Sequence, residues 1–337
     1  MELPERTMNK HRQQGHRWSR LGLVIGIIFI TSGCAHWSPS GVPLDELKPD
    51  ETMPLFWRVQ GGQGADLYIL SSADVGGPSE GWVYPAAITQ AFDRSNALVV
   101  GSDPTEISGD QTQALISAYG SLPPGVSLRD ALSPEIWKKL EPELKTMGVP
   151  LIYADRMQPW LLESVLKSEA IRRLGLSLRN GVETSFIRQA KDRSVIALEP
   201  IEFQISIAVR MPLEIQAAPL QQTLVQFETM DDWVKALVNG WRSGDARSLT
   251  HLLLGKGDAT EASQAFFEIF VLPRSQNMTE QLNVLLEAEQ HHGEQVFVII
   301  AANHLVGPQG IPALLKSRGY QLKRYTPAAL RHPLPGD

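Results

Sequence analysis

The chain has 337 residues, 43% of them hydrophobic and 20% charged, which supplies a large apolar core and excludes a disordered or fibrous protein. Its net charge of −6 leaves no broad basic face of the kind nucleic acid demands. The single cysteine, Cys34, rules out an internal disulfide and any cysteine-based zinc centre.

Arg6, Lys10, Arg12, Arg17 and Arg20 precede the uncharged run LGLVIGIIFI and then the small residues Thr31-Ser32-Gly33. A basic segment, a short apolar segment and small residues before a cut site predict a signal peptide over residues 1–33. The run is too short for a comfortable membrane span. Residues 1–33 hold five Lys/Arg and two Asp/Glu, so their removal takes the net charge from −6 to −9. Thr31-Ser32-Gly33-Cys34 resembles a bacterial lipobox, which implies cleavage before Cys34 and a lipid anchor of several acyl chains, such as palmitate, on its thiol. Ala35, where an Asp would imply retention at the inner membrane, implies the outer membrane of a Gram-negative cell. Residues 34–53 are polar and Pro-rich and predict a tether.

The body of the protein spans residues 54–328, with 329–337 as a tail. LFWRV and LYIL predict a strand pair joined by the Gly-rich QGGQGAD turn. YPAAITQAFDRS has helical spacing with Pro85 early, and ALVV is a short buried strand. A mostly helical insert, about 104–290, follows. Within it Ser133 caps SPEIWKKLEPELKTMG, with Gly148 as its stop, and QPWLLESVLKSEAIRRLG runs to Gly175. SVIALE is a strand, and Thr229 is a cap for the helix after it. QVFVIIA, GPQGIPALLKSRG and YQLKRY then repeat the early order of strand, helix and strand. The fold class is therefore α/β: a central mixed sheet from two pseudo-repeated βαβ halves with a large helical insert.

Two stretches share one pattern without a gap. LYILSSADVGGP (67–78) and FVIIAANHLVGP (297–308) each give four apolar residues, two tiny ones, a polar side chain (Asp74 or His304) and Gly-Pro. Small residues at a strand end let other backbone approach, and function in α/β sheets gathers beyond the C-terminal ends of strands. Two halves paired about a pseudo-dyad would bring Asp74 and His304 into one cleft. A carboxylate and a neutral imidazole there suit a divalent metal or an acid/base pair. No nucleophile elbow, P-loop or H-E-x-x-H motif is recognised. His291-His292-Gly293-Glu294 reads as a solvated loop, and Trp57, Trp137, Trp160, Trp233 and Trp241 read as core.

Several blocks, in order, resemble the TraB/GumN family, which includes the Tiki-type metalloproteases. FWRV with LYILSSADVG is similar to the family's Trp-Arg strand and Gly-Thr-x-His-Val-Gly segment. MQPWLLESVL is similar to its Lys-Pro-Trp helix, and GVETSFIRQAKDRSVIALEPIEFQ to its Gly-x-Asp segment and Leu-Glu-x-x-x-x-Gln strand end. AANHLVGPQGIPALLKSRGYQL is similar to the closing Gly-x-x-His-Leu-Val-Gly segment. The resemblance implies an erythromycin-esterase/ChaN-like fold and peptide hydrolysis with a divalent metal (Mn, Co or Zn). It implies Asp74, His304 and Glu199 as metal ligands, with Glu199 and His304 catalytic. Asp103, Glu202 and Glu183 form a second tier, and Gln204 matches the family's Gln. Departures stand beside these matches. Asp74 occupies the first His position, Ser71 and Ala301 occupy the two Gly positions, and Gly101 falls where a carboxylate often ends the strand. The expectation is a lipid-anchored envelope hydrolase acting on peptides. The alternative is a catalytically silent relative that binds a peptide, small ligand or envelope protein in the same cleft. No nucleic-acid partner is expected.

Overall fold

Short apolar runs, buried on both faces at the centre and more exposed and polar at the edges, pair into one six-stranded sheet. A computed structural model describes residues 52–79, 81–225, 230–254 and 260–326. The signal segment, Cys34, nearly all of the tether, Thr229 and the tail lie outside the described residues.

The strands are β1 (Phe56–Gln60), β2 (Asp66–Ser72), β3 (Ala97–Val100), β4 (Ser194–Ala197), β5 (Gln295–Ala301) and β6 (Gln321–Tyr325). Their order across the sheet is β4-β3-β5-β2-β1-β6. β1 runs antiparallel to both β2 and β6, whereas β2, β5, β3 and β4 are mutually parallel neighbours, so the sheet is mixed as expected. β2 pairs with β5 from Asp66↔Gln295 to Ser72↔Ala301. Val100 lies level with both Ala197 and Ile299. The C-terminal ends of β4, β3, β5 and β2 therefore form one row along a single edge.

The crossover from β2 to β3 steps over β5, and the crossover from β5 to β6 steps over β2 and β1. Each passes through one helix, Ala86–Arg94 or Ile311–Ser317. The second helix starts later than its sequence indicates. A 3₁₀ turn, Ala302–His304, follows β5, and Gly310 rather than an earlier residue caps the helix. Gly148 lies one residue beyond the cap Met147, at φ 70°, where its freedom from a Cβ lets the helix end in a left-handed turn.

Phe92, Phe186 and Phe297 form an aromatic cluster over the sheet, with ring centroids 4.8–5.4 Å apart. The main core continues into Met278, Leu282 and Leu286 of the helix Leu272–Glu287. The insert builds two further cores, one around Leu140, Leu162 and Leu220 and another around Trp160, Ile205, Phe266 and Phe270. All five tryptophans assigned to the interior are buried. Glu261–Phe266, a π-helical turn at Phe267–Val271 and Leu272–Glu287 form one nearly continuous helical run. Pro273 lies just past the wide turn, where its missing N–H cannot continue the i→i−4 ladder.

Candidate functional site

The row of strand ends sets four positions side by side: Glu199 past β4, Gly101 past β3, His304 past β5 and Asp74 past β2. Register makes this unavoidable. Ser72 and Ala301 are partners across β2 and β5, and Asp74 and His304 follow two and three residues later. The two signature segments thus follow neighbouring strands at the same edge of the sheet.

Asp74 adopts φ 53°, a left-handed conformation that Asp tolerates better than most residues. Gly76 turns the segment at φ 71°, and a Cβ there would lie 2.2 Å from the Ser177 carbonyl oxygen. That approach forms the Gly77–Ser177 bridge, which ties the Asp74 segment to the chain leading into the helix Val182–Gln189. Glu183 lies in the first turn of that helix. The Ser72 hydroxyl hydrogen-bonds Asp74 Oδ1 at 3.4 Å and also serves Glu183.

Burial pushes the Asp74 carboxyl up to about 6, against the Ser72 hydrogen bond and the charge of Arg274. Burial, and then the neighbouring Asp74 charge, push Glu183 up to about 7. The Asp74 charge disfavours ionisation of Glu183, so the two acids titrate as a pair between about 6 and about 7. Both residues keep intermediate exposure, so the pair opens toward the surface.

His304 is 2% exposed. The Ser275 hydroxyl donates to the Val271 carbonyl at 3.0 Å, so its oxygen must accept from His304 Nδ1, 2.8 Å away. The ring is therefore the Nδ1–H tautomer, with a bare lone pair on Nε2. Burial, and then the nearby Arg274 cation, hold its pKa well below the ordinary value and keep it neutral.

Arg274 donates from Nε to Glu199 Oε2 at 2.8 Å and lies over the Phe270 ring at 4.7 Å. The pair is buried, with side chains 6% and 1% exposed. The other carboxylate oxygen of Glu199, Oε1, is buried and unpartnered, as is Asn303 Oδ1. Arg274 and Ser275 carried no sequence motif. Pro273 beside them was the available signal, since a proline inside a helical pattern marks a local break.

The second-tier acids divide. Glu183 belongs to the cleft. Asp103 Oδ1 accepts from the Thr105 backbone and hydroxyl at 2.7 and 2.6 Å and closes its own turn, and Glu202 is exposed on the helix Ile201–Arg210. Gln204 is buried in that same helix. His291 pairs with Glu294 at 2.9 Å in a loop outside the site. Residues 77–81, GPSEG, do spell G-x-S-x-G, against expectation. Ser79 is exposed and sits in a turn rather than between a strand and a helix, so it lacks an elbow's geometry.

The ligand set Asp74, His304 and Glu199 does not fit a divalent ion as arranged. Glu199 is held by a permanent cation, whose field also reaches Asp74 and His304. Among the described residues no group of three or more His, Cys, Asp or Glu side chains is placed to hold a metal.

The sequence model of the TraB/PrgY/gumN family matches residues 55–324. The chain belongs to the TraB/PrgY/gumN family. Its matched region contains β1 to β5, β6 up to Arg324, and Asp74, Gly101, Glu183, Glu199, Arg274 and His304. Among curated proteins it is similar to an uncharacterized protein of Treponema pallidum (strain Nichols), 22% identical over 274 residues, covering 78% of this chain and 80% of the relative. No solved structure matches the chain. Among the described residues of this TraB/PrgY/gumN protein, no helix is long and apolar enough to cross a membrane.

Proposed function

We propose that this family member is a lipid-anchored envelope hydrolase whose cleft cleaves peptide bonds by acid–base chemistry on the Asp74–Glu183 pair. What supports this reading is two neighbouring carboxyls that burial pushes up to about 6 and about 7, beside a neutral imidazole whose Nε2 is bare. A general base works best with a pKa near the working pH. His304 Nε2 accepts a hydrogen bond from the attacking water and aims its lone pair at the substrate carbonyl. The ionised member of the pair takes the water's proton as the C–O bond forms. The protonated member gives its proton to the leaving nitrogen as the C–N bond breaks, and the pair ends with the proton count it began with. A peptide substrate is the class that the family resemblance implies, and the acyl chains on Cys34 hold the cleft at the membrane surface.

The test is hydrolysis of a mixed peptide library by the full chain in detergent, read by mass spectrometry with and without EDTA. Turnover that survives EDTA and disappears in His304→Ala and Glu183→Gln supports the acid–base reading. Turnover lost in EDTA and restored by Mn²⁺, with stoichiometric metal in the protein, replaces it with the metal-dependent one. The Arg274–Glu199 pair favours a second reading, a cleft that binds without cleaving, because it withdraws Glu199 from chemistry. Absence of turnover with retained peptide binding selects that reading.

A further inference from the structure

The proposed hydrolase reading leaves Arg274 without a role. The residue is 5% exposed, and its guanidinium is fixed by three contacts: Nε to Glu199, the stacked face of Phe270, and helix packing just past the π-helical turn. Neither Nη donates a hydrogen bond to a described residue. The Nη atoms are not among the buried unpartnered groups, so a rigidly held guanidinium is left with N–H groups free to donate outward. Its charge is felt at both His304 and Asp74, which places it close to the row of strand ends.

Gly101 stands between Glu199 and His304 in the row, and a Cβ built there would meet only ordinary contacts, Ile299 O and Ile300 Cα at 3.8 Å and Met278 Cε at 3.9 Å. Met278 and Arg274 are i and i−4 on one helix, so that Cβ faces the same helical surface that presents the guanidinium. Room for a Cβ, a rigid cation and a neighbouring unpartnered carboxylate oxygen, Glu199 Oε1, occur together.

We propose that the two Nη groups of Arg274, over Gly101, bind a carboxylate of the peptide substrate, with the terminal carboxylate as the primary source, while Glu199 Oε1 accepts from an adjacent peptide N–H. Two parallel N–H···O bonds fit a carboxylate's fork, which a lysine could not supply. The inference rests on the peptide reading of the cleft but concerns binding, so it is measured without turnover.

The experiment is calorimetric titration of the full chain in detergent with tri-alanine and with tri-alanine amide. The acid binds at least tenfold more tightly than the amide. Acetyl-Ala-Glu-Ala-amide against its Gln counterpart separates an acidic side chain from a chain terminus as the source. In Arg274→Met/Glu199→Gln, which strands no buried charge, the preference for the acid collapses. In Gly101→Asp, the new carboxylate occupies the Nη groups and weakens tri-alanine by a similar factor. Equal affinity for acid and amide, failure of both the acid and the Glu peptide to bind, or a preference that persists in both variants overturns the proposal. Peptide hydrolysis with no such preference overturns it while leaving the hydrolase reading standing.

Discussion

Glu183→Gln will make the protein more stable in alkali and leave it nearly unchanged in acid. Asp74 rises from 3.8 to about 6 and Glu183 from 4.5 to about 7, roughly two units each. At about 1.4 kcal/mol per unit, each shift corresponds to about 3 kcal/mol at most, and partial exposure reduces it to about 1.5–3 kcal/mol. The sign follows from proton counting. Below about pH 4 both acids are protonated in the folded and unfolded chain. Between about 4.5 and 7 the folded protein keeps protons that the unfolded chain has released, so stability falls as pH rises, and the loss is complete above about 7. His304 acts oppositely: buried and neutral, it subtracts stability as pH falls below its ordinary value. The difference between variant and wild type removes the histidine and isolates the pair. Glutamine removes Glu183's penalty and part of Asp74's. Urea unfolding at pH 4 and pH 8 is the assay, with a gain near zero at the lower pH growing to about 1.5–3 kcal/mol, or about 3–6 °C in Tm, at the higher. A variant less stable than wild type at pH 8, or a gain equal at both pH values, would show that the carboxyls do not titrate as a buried pair.

Four further outcomes follow from the geometry. The pH profile of kcat/KM for peptide hydrolysis is bell-shaped, with limbs near 6 and 7 that belong to the pair. Ser275→Ala removes the bond that fixes the His304 tautomer. It costs about 1 kcal/mol in stability by urea unfolding and lowers kcat more than it changes KM. Glu199→Ala strands the buried Arg274 cation and destabilises by about 3–5 kcal/mol, measured the same way, whereas Arg274→Met/Glu199→Gln costs far less. Gly76→Ala forces a Cβ against the Ser177 carbonyl, adding a clash to about 1–2 kcal/mol for the left-handed backbone, so loss of peptide turnover accompanies a lower Tm.

The strands were legible because their apolar runs are short, bounded by turn residues and flanked by capped helices. QVFVIIA and LYIL stand out for that reason, and their shared pattern marked the segments of Asp74 and His304, which follow paired strands. Glu183 was legible as a candidate acid in a family-like segment. Its coupling to Asp74 was not, because that depends on the Gly77–Ser177 bridge across a hundred residues of chain. Glu199 was recognised by its position after β4, but the ion pair it makes was not. Its partner, Arg274, sits in a helical stretch with no motif, and only the fold shows that a cation already claims the carboxylate. The later start of the helix Ile311–Ser317 escaped for a similar reason, since the 3₁₀ turn that delays it is set by the packing of buried His304.

The wide turn at Phe267–Val271 joins two halves of a helix that answer to different interiors. Phe266 and Phe270 are gripped by the insert, whereas Met278, Leu282 and Leu286 are gripped by the sheet. An ordinary helix advances about 100° per residue, so two grips out of phase by one residue cannot both be met by a regular spiral. The π turn is the vernier that reconciles them, and Arg274 and Ser275 ride immediately beside it. A small rocking of the insert against the sheet therefore reaches those two side chains before any others, tilting the guanidinium and the imidazole's anchor together.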